Sequence, residues 1–208
     1  MFIQRITKEE INELPIVRFG GKIIVVDDVL KVEEAMKDLC KQKIVGIDTE
    51  TKPSFQKGQK HKVSLIQIST LENCYLFRLN MIQMPEKLTQ FLANTKIKKV
   101  GLALRDDFSG LYKHHRFKPA NVIDIQSIVK NYGIFELSLQ KIFAIVFQQK
   151  ISKAQQLSNW EAGELTESQQ LYAATDAWAC LKIYLRLMEE TPLTKHELEQ
   201  LIKQETAV

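Results

Sequence analysis

Asp48 and Glu50 close an otherwise apolar run, Ile44-Val45-Gly46-Ile47-Asp48-Thr49-Glu50. Side chains of an extended segment alternate between faces, so positions 48 and 50 share one. Two carboxylates on one face at a strand's end repel each other, and an unpaired charge removed from water is costly. A divalent cation between them relieves both penalties, and hard oxygen donors suit Mg²⁺ or Mn²⁺. The plainer reading is a pair of solvated acids at a strand exit. Acid-x-acid triplets are common in a chain with 25 acids among 208 residues, so this motif does not stand alone.

Two further segments carry acids in suggestive places. In Leu171-Tyr172-Ala173-Ala174-Thr175-Asp176-Ala177, helical geometry puts Tyr172 and Asp176 at i and i+4, on one face. Alanines at 173, 174, 177 and 179 keep this helix thin, so its backbone can lie close to a sheet. A core tyrosine bonded to a surface aspartate would show the same spacing. In Lys99-Val100-Gly101-Leu102-Ala103-Leu104-Arg105-Asp106-Asp107-Phe108, a strand runs into a helix with acids near its start, where capping and the helix dipole favour them. Asp107 lies four residues before Leu111 and leans toward the packed face, whereas Asp106 aligns with Gly110 and faces water.

The elements that must position these residues follow from periodicity. Residues 44–50, 63–70, 74–79, 97–103 and 122–125 read as strands, preceded by a short β-branched run at 22–26 after an irregular start. The three-residue connection 71–73 favours an antiparallel meander of the first three strands. Helical patterns cover 29–41, 85–93, 106–114, 127–132, 137–147, 167–190 and 195–203. Hairpins first and strand–helix alternation afterwards predict an α/β fold, a mixed sheet packed by helices.

Composition narrows the setting. A chain of 208 residues with 45% hydrophobic and 26% charged residues fits one domain and excludes disordered and collagen-like classes. The longest apolar stretch, near 142–147, is far too short to cross a bilayer, and the acidic N-terminal sequence lacks the apolar core of a secretory signal. Three widely spaced cysteines, Cys40, Cys74 and Cys180, form no disulfide framework or zinc pattern and predict a reducing, cytoplasmic setting. The net charge of +4 is compatible with a polyanionic partner. Four lysines and one aromatic follow the first motif without an acid, in Lys52-Pro53-Ser54-Phe55-Gln56-Lys57-Gly58-Gln59-Lys60-His61-Lys62. Lys57, Lys60 and Lys62 are candidates for phosphate contacts, and Phe55 for packing on a base or sugar; a solvated loop with Phe55 in the core is the alternative.

In order and spacing the three acidic segments resemble the DEDD superfamily of 3′–5′ exonucleases in its tyrosine-bearing form. Asp48-x-Glu50 matches the first exonuclease motif, Asp107 in KVGLALRDDFSGL the second, and Tyr172-x₃-Asp176 the third. HKVSLIQIST (61–70), ELSLQKIF (136–143) and LSNWEAGELTESQQLYAATDAWACLKIY (157–184) extend the likeness to the ribonuclease D branch, most of all to Werner-type exonuclease domains. It covers about 42–190 and leaves 1–20 and 191–208 outside, with Gln155-Gln156 standing where a basic residue is often found.

The resemblance implies a ribonuclease H-like fold with a mixed five- or six-stranded sheet, and a single exonuclease domain over 1–208. It implies stepwise phosphodiester hydrolysis from 3′ ends with two divalent cations, Mg²⁺ or Mn²⁺. Asp48 would bridge both, Glu50 and Asp176 would serve the nucleophile-activating ion, and Asp107 would hold the leaving-group ion through water. Tyr172 would orient the attacking water. The implied partner is nucleic acid, at single-stranded or recessed 3′ ends of DNA or RNA. An inert nucleic-acid-binding module of the same fold would show a lost carboxylate, and all four are present; a scaffold module would show itself as a stable complex without metal-dependent activity.

Overall fold

The computed structural model describes residues 2–56, 58 and 61–206. Among them the β-branched and aromatic runs become six strands: β1 (Lys22–Val26), β2 (Ile44–Thr51), β3 (Val63–Ser69), β4 (Asn73–Arg78), β5 (Lys98–Gly101) and β6 (Val122–Asp124). The helices are α1 (Lys8–Glu13), α2 (Val29–Leu39), α3 (Leu79–Ile82), α4 (Glu86–Leu92), α5 (Leu104–Leu111), α6 (Ile125–Ile128), α7 (Leu139–Phe147), α8 (Glu167–Met188) and α9 (Lys195–Thr206).

The strands form one mixed sheet in the order β1-β4-β3-β2-β5-β6. β2, β3 and β4 make the expected antiparallel meander. They are second to fourth in chain order, because the 22–26 run is itself a strand, parallel to β4 at the sheet's edge. β5 and β6 extend the sheet in parallel from β2.

Alternation along the strands sorts the core into two layers. On one face Ile47, Ile66, Ile68 and Phe77 pack against Val32, Met36 and Leu39 of α2 and Leu88, Phe91 and Leu92 of α4. The opposite face lies beneath α8, where Leu65 and Leu76 meet Trp160, Tyr172, Ala173 and Ala174.

Three local differences from the sequence reading have physical causes. The start of the chain is not irregular throughout: Thr7 and Glu10 form a capping box that begins α1. The segment read as a helix over 127–132 is instead α6 followed by a 3₁₀ turn at Val129–Tyr132 that ends on left-handed Gly133. The third is the start of α5. It begins at Leu104 rather than 106 because Asp124, twenty residues on, accepts hydrogen bonds from the Ala103 and Leu104 amides at 3.1 and 3.0 Å.

Residues outside the family-like region also join the core. Ile6, Ile11 and Phe19 are buried. The Phe135 amide donates to the Gln4 carbonyl, the Val17 amide to the Lys150 carbonyl, and the Phe19 amide to Thr175 Oγ1 in α8.

Candidate active site

Asp48 and Glu50 leave β2 on the face beneath α8, and Asp176 comes down from α8 to meet them. One carboxylate oxygen from each lies within 4.8 Å of the others. Close approach of helix and sheet makes this possible: a Cβ on Gly46 would run into the Ala177 carbonyl oxygen and crowd Leu181. The alanines at 173, 174 and 177 are buried, as expected for a helix pressed onto a sheet.

Asp107 arrives separately, from the first turn of α5, and stands outside that cluster of three. Its carboxylate accepts a hydrogen bond from the Thr49 hydroxyl, next in the chain to Asp48. Asp106 is exposed and Asp107 half-buried, as their helical phases predict. Asp124, by capping α5 across the sheet, sets where Asp107 begins its turn. Sequence reasoning missed Asp124; the only local signal is an acid at the end of a three-residue strand.

The electrostatics are those of crowded acids. Burial, then the charges of Asp107, Asp176 and Glu50, raises the Asp48 pKa well above the ordinary carboxylate range. Burial and the charges of Asp176 and Asp107 push Glu50 up to about 9. Burial raises Asp176 to about 7 against the opposing hydrogen bond from Tyr172 and the charge of Lys153. Asp107 rises to about 6, mainly by burial, with the Thr49 bond opposing. Such a set of hard oxygen donors, each resisting ionisation, suits divalent cations.

Asp48, Glu50 and Asp176 line an open cavity of about 330 Å³ that also takes in Tyr172, Gln140, Lys153 and Gln156. Lys153 is the second residue the sequence reading missed. It is a cation facing a pocket of acids, and the motif spacings do not mark it. Tyr172 is 9% exposed, and its ring packs on Trp160 with centroids 6.0 Å apart. Burial first, then the neighbouring carboxylates, pushes its phenol above the usual range, so it stays protonated and serves as a hydrogen-bond donor.

Of the candidate phosphate-binding lysines, Lys57 and Lys60 lie outside the described residues, and Lys62 is exposed. Phe55 is not tucked into the core: it is 82% exposed. With Lys52, His61 and Leu157 it lines a groove of about 350 Å³. Glu161 lies 3.3 Å from both Lys52 Nζ and His61 Nδ1.

A family model described as 3′–5′ exonuclease matches residues 23–192, from β1 through α8. The bifunctional 3′–5′ exonuclease/ATP-dependent helicase WRN of Mus musculus is 31% identical over 186 residues, 85% of this chain. The chain spans 13% of that protein's length. The Nibbler EXO domain of Aedes aegypti superposes with a TM-score of 0.73 at 24% identity, over 86% of this chain and 94% of that one. Trypanosoma brucei RNase D, solved in complex with RNA U12, superposes with a TM-score of 0.74 at 21% identity, over 89% and 70%. Sheet order, acidic motifs and family match agree: the chain belongs to the 3′–5′ exonuclease family and takes a ribonuclease H-like fold.

Proposed function

We propose that this chain hydrolyses phosphodiester bonds stepwise from the 3′ ends of nucleic acid, with two divalent cations. The observation that carries the reading is the meeting of Asp48, Glu50 and Asp176 within 4.8 Å in an open pocket, with Asp107 beside them. Asp48, Glu50 and Asp176 would hold one cation, and Asp48 and Asp107 the other. When bound, the cations would neutralise the phosphodiester and lower the pKa of the attacking water.

The chain's own residues do the rest. Tyr172 donates a hydrogen bond that orients the attacking water, being too firmly protonated to act as a base. Lys153 faces the negative phosphodiester in the pocket. Thr49 and Asp124 hold Asp107 in place from two directions. The groove of Phe55, Leu157 and Lys52 receives the strand leading to the reacting 3′ end, an apolar surface for bases with Lys52 at its edge for a phosphate. Single-stranded or recessed ends of DNA or RNA fit an open groove. The burial of Ile6, Ile11 and Phe19 supports a single domain that includes the N-terminal residues, and three free cysteines support a reducing compartment.

The test is a time course on matched DNA and RNA oligomers labelled at the 5′ end. Stepwise shortening is expected with Mg²⁺ or Mn²⁺ and none in excess chelator. Undiminished hydrolysis in chelator would overturn the metal mechanism. Binding without shortening under any cation would establish an inert module instead.

A further inference from the structure

Gln67, in the middle of β3, is completely buried, and neither its Nε2 nor its Oε1 has a hydrogen-bond partner in the protein. An unpaired buried amide is expensive, and a methionine of similar size would avoid the cost. Arg78 and Trp160 also carry an unpaired buried nitrogen. Arg78, however, donates to the Ala162 and Gly163 carbonyls, and Trp160 lends its ring to Tyr172. Gln67 has no such employment within the fold.

Its register shows what it faces. Gln67 pairs with Leu76 on one side and with Asp48 on the other. Directly opposed residues place their Cβ atoms about 5 Å apart on the same face. That face lies beneath α8, whose buried alanines 173, 174 and 177 present methyl groups, with Tyr172 and Asp176 beside them turned to the carboxylate cluster. Of its two cross-strand partners, one is apolar and the other is a catalytic carboxylate.

We propose that Gln67 is a positioning residue for Asp48, its amide N–H donating to the Asp48 carboxylate and fixing which oxygen is turned toward the cation. The inference rests on the metal reading above. The two side chains are neighbours without a hydrogen bond in the structure, and cation binding, which holds the Asp48 carboxylate, completes the pair. A neutral donor suits the task. A lysine or arginine would cancel the charge the cation needs, and an apolar residue would leave the carboxylate free to turn.

The test compares the parent, Gln67→Met and Ser69→Ala, using Mn²⁺ alone as the probe. Ser69 shares the strand and the face, but its hydroxyl is occupied by the Thr70 carbonyl, 2.8 Å away. Mn²⁺ affinity is read by electron paramagnetic resonance, and melting temperature in chelator by calorimetry. Gln67→Met is expected to melt at or above the parent temperature while its Kd for Mn²⁺ rises about tenfold, the usual effect of losing a group that orients a ligand. Ser69→Ala should keep the parental affinity. An affinity within twofold of the parent in Gln67→Met would overturn the proposal. So would a melting temperature several degrees lower, which would make Gln67 an ordinary packing residue. A parent that binds no Mn²⁺ would instead refute the metal reading, and this proposal with it.

Discussion

Tyr172 has two separable jobs, and one substitution divides them. Its ring belongs to the packed layer beneath α8, while its hydroxyl points among the carboxylates. Tyr172→Phe keeps the ring and deletes one hydrogen bond. Turnover is expected to fall by about 10² to 10³, equivalent to roughly 2–4 kcal/mol of transition-state stabilisation. KM and Mn²⁺ affinity should stay within a few-fold of the parent, because the lost bond acts mainly in the transition state. Near-parental turnover would leave the phenol a core residue only. Asp106 and Asp107 form a second matched pair, adjacent in sequence but differing in exposure and in the Thr49 bond. Asp107→Ala should lower kcat by several orders of magnitude and Asp106→Ala should not. Equal damage in the two kinetic assays would misplace the second motif.

At the scale of elements, the spacing between β2 and α8 governs the site, and Gly46 sets it. Gly46→Ala forces the helix outward or the strand downward, because the obstacle is the Ala177 backbone and cannot rotate away. Overpacking of this kind costs about 1–3 kcal/mol, so a melting temperature several degrees lower is expected, together with a large loss of turnover. Circular dichroism should show unchanged secondary structure. Unaltered activity would mean that the carboxylate spacing tolerates movement of the helix. The same contrast between local and distant causes explains what could be read from the residues alone. Asp48 with Glu50, and Tyr172 with Asp176, were legible because strand parity and the helical repeat are short-range rules. The start of α5 was not, because its cap, Asp124, comes from another strand and meets Ala103 only after the sheet has formed. Likewise Lys153 and Gln67 lie in no acidic motif, and only the tertiary fold brings them to the site.

Across the whole molecule, the acids make stability depend on pH in a direction opposite to that of an ordinary salt-bridged carboxylate. Glu50 at about 9, Asp176 at about 7 and Asp107 at about 6 are all raised, chiefly by burial. Each holds its proton in the folded state after the unfolded chain has released its own near pH 4. The native state therefore binds more protons over that window, and stability must fall as pH rises through it. In chelator the melting temperature is expected to decline from about pH 5 to about pH 9. Mg²⁺ or Mn²⁺, by binding the ionised carboxylates of the folded state alone, should restore it at the alkaline end, by an amount that grows with the logarithm of cation concentration. Calorimetric scans at several pH values, with and without cation, check both halves. A chelated protein whose melting temperature climbs with pH would contradict the assignment of these acids as buried and mutually repelling.

The thread of chain before β1 bears on how far such a protein can be shortened. The amide of Phe19 is fastened to Thr175 Oγ1, one residue before Asp176. That hydroxyl in turn donates to the Leu171 carbonyl one turn back, so the thread grips α8 between Tyr172 and Asp176. Phe19 also lays its ring edgewise on Trp178, with centroids 6.2 Å apart. The family model begins only at residue 23. A fragment trimmed to that border would keep every acidic motif and yet release the clamp that steadies the helix bearing Tyr172 and Asp176. It would also bare the seats of Ile6, Ile11 and Phe19 to water. The family model's edge and the mechanics thus draw different borders, and the shortest working piece is defined by what keeps α8 still.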